Sequence, residues 1–156
     1  MYKTLLWATD GSPGADAALT EARRLTEVAG GHIVAVHIDQ KLAGRFGGWS
    51  TLADEEDRQA ALRKRVDELK GEGLDIEFIV RHGRQVPAEM VAALAEELDA
   101  DLIVCGTRGH GSLAGAVLGS FTQHLLHVAP CPVLAVPERV AREQAAAYPK
   151  RTEVPV

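Results

Sequence analysis

Between Cys105 and Ser120 the chain carries glycines at fixed offsets: Gly106-Thr107-Arg108-Gly109, nine residues, then Gly119-Ser120, directly after the apolar run Leu102-Ile103-Val104. Glycines held between a buried strand and a helix start let backbone N–H groups approach an anion closely, so the spacing points to a phosphate-binding loop and first to a nucleotide. The same glycines, with Gly111 and Gly115 between them, would also suit a surface loop that holds nothing. Neither common phosphate loop is present: no Gly-Lys-Ser/Thr closes the segment, and no Gly-x-Gly-x-x-Gly follows the first apolar run.

If the loop holds a triphosphate, N–H groups around Gly109 and Gly119-Ser120 would face its oxygens, and a helix beginning at Ser120 would add the partial positive charge of its N-terminus. The Ser120 hydroxyl can donate one more bond while serving as an ordinary N-cap. Arg108 and His110 sit inside the loop rather than on a helix face, so the guanidinium could pair with phosphate oxygens and the imidazole could donate to them; plain solvent exposure is the alternative for each. Asp10 ends the first apolar run as an acceptor-only carboxylate. It suits a ribose hydroxyl or a metal-bound water, and equally a local cap for the helix that starts at Ser12.

Other chemistry finds little footing. His124 and His127 stand three apart on one helix without further zinc ligands at suitable spacing, and no metal ligand is assigned. His37, inside an apolar run, reads as a satisfied core or sheet-edge histidine, while His32 and His82 stand at strand margins. Neither Ser12 nor Ser112 lies in a Gly-x-Ser-x-Gly elbow, and no catalytic residue can be named.

Five short apolar runs must position these groups: Thr4–Ala8, Ile33–Ile38, Ile76–Val80, Leu102–Cys105 and Val133–Val136. Mostly uninterrupted rather than alternating, they suit strands covered on both faces, as in a parallel sheet. Helical patterns fill the gaps. One starts at Ser12-Pro13 and stops at Gly30-Gly31, with Leu19, Ala22, Ala29 and either Leu25 or Thr26 on one face. A second, about 52 to 70, buries Leu62, Val66 and Leu69 and carries Asp54 to Asp57 as a solvated charge run. A third, about 87 to 98, offers Met90, Val91, Leu94 and Leu98 to the core; a fourth, from Ser120 until Pro130 ends it, turns Phe121, Leu125 and Val128 inward. The alternation predicts a doubly wound sheet whose ligand sits at the carboxyl ends of strands where the winding reverses. Asp10-Gly11-Ser12 and the glycine loop both leave such ends. Residues 40–51 form a longer connection that reads as a surface loop or a lid, and residues 138–156 read as a partly helical or disordered tail.

With 156 residues, 46% of them apolar, the chain can bury one core but not two. Its 17 basic and 22 acidic residues create no field that would draw it to nucleic acid or an anionic membrane. No apolar run reaches the roughly 20 residues that span a bilayer. Cys105 and Cys131 lack a CxxC partner and read as buried thiols, which suits a reducing, cytoplasmic setting.

Asp10-Gly11-Ser12 after the first strand, Val36-His37-Ile38 in the second, Gly83 with Ala88-Glu89 before the third helix, and the Gly106–Ser120 spacing together resemble the universal stress protein family, in its ATP-binding branch, over about residues 2–137. The resemblance implies a five-stranded parallel sheet in the order 3-2-1-4-5 with helices on both faces, an adenine nucleotide alpha hydrolase-like α/β fold. It implies ATP across strands one and four: Asp10 at the ribose, the Ile38 backbone at the adenine edge, and Gly106, Gly109, Gly119, Ser120 and Phe121 around ribose and phosphates, with Mg²⁺ bound through the phosphates. It further implies a homodimer through the last strand, Val133–Val136, whose open edge needs covering. Trp7, bulky for a central strand, residues 40–51 and the tail depart from the family pattern.

The expected function is a cytoplasmic ATP-binding regulatory dimer whose nucleotide changes its conformation or partners. The alternatives are slow ATP hydrolysis in the same pocket, with Asp10, Arg108 and Mg²⁺ positioning a water, and an interaction module that never holds ATP.

Overall fold

Strands and helices alternate along the whole described chain, and the strands gather into one parallel sheet. The computed structural model describes residues 2–40, 52–109 and 118–139. In chain order the elements are β1 (Thr4–Ala8), α1 (Pro13–Ala29), β2 (His32–Gln40), α2 (Leu52–Gly71), β3 (Ile76–Gly83), α3 (Pro87–Glu97), β4 (Leu102–Gly106), α4 (Ser120–Val128) and β5 (Val133–Val136). The sheet order is β3-β2-β1-β4-β5, with every neighbouring pair parallel. This is the doubly wound arrangement expected from the sequence. Among the described residues no helix is long and apolar enough to cross a membrane.

The two-residue period of a strand divides the core into two layers. Leu5, Trp7, Ile33, Ala35, Ile76, Leu102 and Val104 face one side of the sheet, where Ala18, Leu19 and Ala22 of α1 and Val66 and Leu69 of α2 cover them. Leu6, Ala8, Val34, Val36, Ile103 and Cys105 face the other, under Val91 and Leu94 of α3 and Leu125 of α4. Covering on both faces explains the uninterrupted apolar runs. Trp7 has no solvent exposure; its indole fills the α1 side of the core and its Nε1–H donates to the Ala15 carbonyl at 2.9 Å. The departure from the family pattern at Trp7 is therefore a packing feature.

Helix ends follow local chemistry. The Ser12 hydroxyl accepts from Ala15 N–H at 3.3 Å, Pro13 opens α1, and Gly30 closes it in the left-handed conformation with its N–H on the Thr26 carbonyl. At α4 the expectation needs correction: Gly119, not Ser120, occupies the N-cap, and no side chain caps the helix. Ser120 is instead the first helical residue. Val128 is 37% exposed rather than inward, since Ala129 leaves the helix one residue later, while Leu125 is fully buried and Phe121 packs partly buried beside it. β2 and β3 also run past the apolar stretches that suggested them. Their pairing continues through Ile38↔Arg81, Asp39↔His82 and Gln40↔Gly83, where a 2.7 Å Asp39–His82 contact replaces apolar packing. His110, residues 41–51 of the suggested lid and the tail from residue 140 lie outside the described residues.

The start of β1 is tied by Asp101, whose carboxylate accepts from the N–H groups of Lys3 at 2.8 Å and Thr4 at 2.9 Å. Those two backbone bonds hold its carboxyl below the ordinary carboxylate range. A depressed folded pKa gives stability that is present above the unfolded pKa and lost as pH falls through the folded one. Melting temperatures of the wild type and Asp101→Ala should therefore differ most at neutral pH and converge in acid; a gap that persists in acid contradicts the tie. Trp7→Phe should cost about 2 kcal/mol in urea unfolding through lost volume and the lost indole bond. An unchanged midpoint would mean that neither matters.

Candidate functional site

The winding reverses between β1 and β4: β2 and β3 extend the sheet on one side and β5 on the other. At such a switch point two loops diverge and leave a crevice at the carboxyl ends of the strands. Here the two loops are the β1–α1 turn, Thr9 to Ser12, and the β4 exit, Gly106 to Gly109.

The first loop is a compact turn. Thr9 N–H donates to the Val36 carbonyl at 2.9 Å, Gly11 N–H to Thr9 Oγ1 at 3.1 Å, and Ser12 N–H to Asp10 Oδ1 at 2.9 Å. Gly11 has φ +76°, which an L side chain would strain. Asp10 thus performs the local capping considered from the sequence, but with one oxygen. Its other oxygen, Oδ2, faces Gly109, where any Cβ would overlap it. Asp10 and Gly109, 99 positions apart in the chain, meet where the two loops face each other.

The second loop is held from three directions. Thr107 N–H donates to the Val136 carbonyl at 3.0 Å, Gly119 N–H donates to the Thr107 carbonyl at 2.8 Å, and the Thr122 hydroxyl donates to the Gly106 carbonyl at 2.9 Å. Gly106 lies against the backbone of Gly14, since a Cβ there would come within 2.6 Å of the Gly14 carbonyl carbon. Gly119 N–H, a donor expected to face an anion, is thereby engaged within the loop. The N–H groups of Ser120, Phe121 and Thr122, in the first turn of α4, have no intrahelical acceptor. Arg108, Gly109 and Ser120 are exposed, and Gly106, Thr107, Gly119 and Phe121 are partly buried. Ile38 lies on β2 two residues beyond Val36, the acceptor of Thr9 N–H, and packs partly buried against the α3–α4 side.

Sequence reasoning missed Thr122, which is 1% exposed and links α4 to the loop floor, and Gly14, whose place in the first turn of a helix was the available signal. It also took the acidic start of α2 for a solvated face. Glu55 instead reaches back to His37 with a 2.6 Å contact and pairs with Arg58 at 2.8 Å. His127 Nδ1 contacts the Gln123 carbonyl of its own helix and His124 stands 3.6 Å from Glu89. Among the described residues no group of three or more His, Cys, Asp or Glu could hold a metal ion.

A parallel five-stranded sheet wound in this order, with its two glycine-bearing turns meeting at the switch point, defines a doubly wound α/β protein. The model of the universal stress protein family matches residues 1–137, and the chain belongs to that family. A universal stress protein of Thermus aquaticus is 33% identical over 145 residues, covering 87% of this chain and 99% of that protein. A universal stress protein A homologue of Coxiella burnetii is 32% identical, covering 86% and 96%. Among solved structures, a universal stress protein in complex with cAMP superposes with a TM-score of 0.64 at 26% identity, covering 88% of this chain and 98% of that one. One from Archaeoglobus fulgidus reaches a TM-score of 0.67 at 22% identity, covering 87% and 99%, and supports the fold.

Both cysteines are free thiols. Burial pushes the Cys105 thiol up to about 11, with the Thr122 hydroxyl opposing in part, and burial also raises the less enclosed Cys131. Because the thiolate is the nucleophile, mass-mapped alkylation of the native protein near neutral pH should label Cys131 first and Cys105 only on unfolding. Early labelling of Cys105 would mean that the β4–α4 junction opens.

Proposed function

We propose that this protein binds an adenine nucleotide, ATP with Mg²⁺, in the crevice between the β1 and β4 exits, and that occupancy alters its conformation or partners in a stress response. The adenine edge would meet the Ile38 backbone, the ribose Asp10, and the phosphates the loop from Gly106 through Thr107, Arg108, Gly109 and His110 to the first turn of α4 at Gly119, Ser120 and Phe121. Mg²⁺ would be held through the phosphate oxygens, neutralising charge that the acidic chain does not. The cAMP complex of a relative at 26% identity supports an adenine ligand class.

The observation that carries the reading is the contrast among the loop glycines. Gly106 and Gly109 are packed against protein atoms that a side chain would strike. At Gly119, among the described residues, a Cβ would meet Arg108 Cα and the Thr107 carbonyl, both at 3.6 Å, and its φ of −73° suits any residue. Among the described residues, then, the protein's own packing does not demand that glycine. A glycine beside a helix N-terminus lets an anion approach the backbone closely.

The reading includes a homodimer through β5, an edge strand whose Val133, Leu134 and Ala135 are only partly buried in the single chain. It also places the protein in the cytoplasm, in keeping with two free thiols.

Isothermal calorimetry of the full chain with ATP and Mg²⁺ should show binding, and Gly119→Val should weaken it about tenfold or more, roughly 1.4 kcal/mol, with the melting temperature unchanged. Equal affinity in both proteins would remove the phosphates from Gly119; no binding by the wild type would end the reading. Native mass measurement should find two chains, and a monomer would contradict the β5 interface.

A further inference from the structure

His37 is 3% exposed and bonded at both ring nitrogens. Nδ1 lies 2.9 Å from the Thr9 carbonyl, and Nε2 lies 2.6 Å from Glu55 Oε1. A carbonyl oxygen carries no proton, so Nδ1 must be the N–H donor to Thr9. Nε2 then faces a carboxylate oxygen at a distance that requires a proton between them, whether the pair is imidazolium with carboxylate or imidazole with carboxylic acid. Without that proton a nitrogen lone pair would point at a negative oxygen in a buried site, and the two would part.

The contact joins the candidate site to α2. Thr9 contributes the carbonyl of the peptide bond that carries Asp10 N–H, so the imidazole helps to set the plane of the turn that aims Asp10 at Gly109. On the other side Glu55 is fixed within its own helix, with Oε2 accepting from Arg58 Nη1 at 2.8 Å and Oε1 accepting from Gln59 Nε2 at 3.1 Å. The Arg58 stem also lies over the turn, 3.8 Å from where a Gly11 Cβ would stand. Among the described residues, the charged and titratable groups shown on the elements that meet at the pair are Glu55 and its partner Arg58 on α2, Asp10 on the turn, and Asp39, two residues beyond His37 on β2, with its partner His82 on β3.

We propose that His37 is a positioning residue for the nucleotide site: the proton it shares with Glu55 latches α2 to the Thr9–Asp10 turn, and nucleotide affinity depends on that proton. The inference rests on the nucleotide reading above. Its sign follows from the proton count: the latch holds while the proton is present and weakens as pH rises and removes it.

Three proteins test it: the wild type, Glu55→Gln, and His37→Asn. The glutamine keeps a hydrogen bond to Nε2, its amide donating to the neutral ring, but removes the shared proton. The asparagine keeps a donor for the Thr9 carbonyl and removes the link to Glu55, so one of the two remains informative if the other folds poorly. Affinity for ATP with saturating Mg²⁺ is measured in all three between about pH 6 and 9. The ligand's own titration is common to all three proteins. The wild type should lose about fivefold or more in affinity relative to both variants as pH rises. In the nucleotide-free wild type, the Asp10 amide resonance should move over the same pH course and remain still in Glu55→Gln. One shared affinity profile for all three proteins, or an Asp10 amide in the wild type that ignores pH, overturns the proposal. Failure of the wild type to bind ATP at any pH overturns the nucleotide reading and the affinity role with it. The Asp10 amide of the free protein then still separates that failure from failure of the latch.

Discussion

The close approach of two backbones, at Gly14 and Gly106, is the constraint on which the rest of this molecule depends. A Cβ on Gly106 would come within 2.6 Å of the Gly14 carbonyl carbon, and one on Gly14 within 2.5 Å of the Arg108 carbonyl oxygen. Neither contact can relax by rotating a flexible side chain, because the atoms met are backbone. With both side chains absent, the first turn of α1 settles against the end of β4, and the loops leaving β1 and β4 are held face to face. The facing of these two loops is therefore a consequence of how the sheet is closed, and the approach of Asp10 to Gly109 is part of it.

The two-layer core makes that contact rigid. Trp7, on the strand between β2 and β4, fills the α1 side and bonds the Ala15 carbonyl, so the start of α1 is fixed to the middle of the sheet one residue beyond Gly14. On the opposite face Thr122 performs the matching task for α4, its buried hydroxyl donating to Gly106. Each helix that begins at the crevice is thus tied to the sheet by one buried polar bond. Such bonds matter most through the cost of leaving a buried partner unsatisfied.

Much of this architecture was legible in the chain because it is written in local patterns. β1 and β5 coincide with their apolar runs, and the Ser12-Pro13 start and Gly30 stop of α1 are cap chemistry that acts within a few residues. The apolar runs understate β2 and β3 because backbone pairing continues through Asp39 and His82 after apolar character ends. Ser120 suits an N-cap by its residue type, yet Gly119 holds that place under the hydrogen bond from its own N–H to Thr107. The glycine spacing singled out the β4 exit as the candidate site. What no spacing could reveal was which glycines serve packing and which leave room, since Gly106 meets residues more than ninety positions away. The His37–Glu55 contact was hidden for a related reason: it exists only once α2 has docked on the sheet, and an acidic helix start looks the same in sequence whether it is solvated or engaged.

The two loops at the β1–β4 switch point are proposed to form one nucleotide-binding site. Titrating the isotopically labelled full chain with ATP and Mg²⁺, and following backbone amide resonances, tests it most directly. The largest shifts should fall together on Asp10, Gly11 and Ser12 of one loop and on Thr107, Gly109, Ser120 and Phe121 of the other. Shifts confined to one loop, shifts at the opposite end of the sheet near His32, Asp75 and Asp101, or no shifts at all would contradict it.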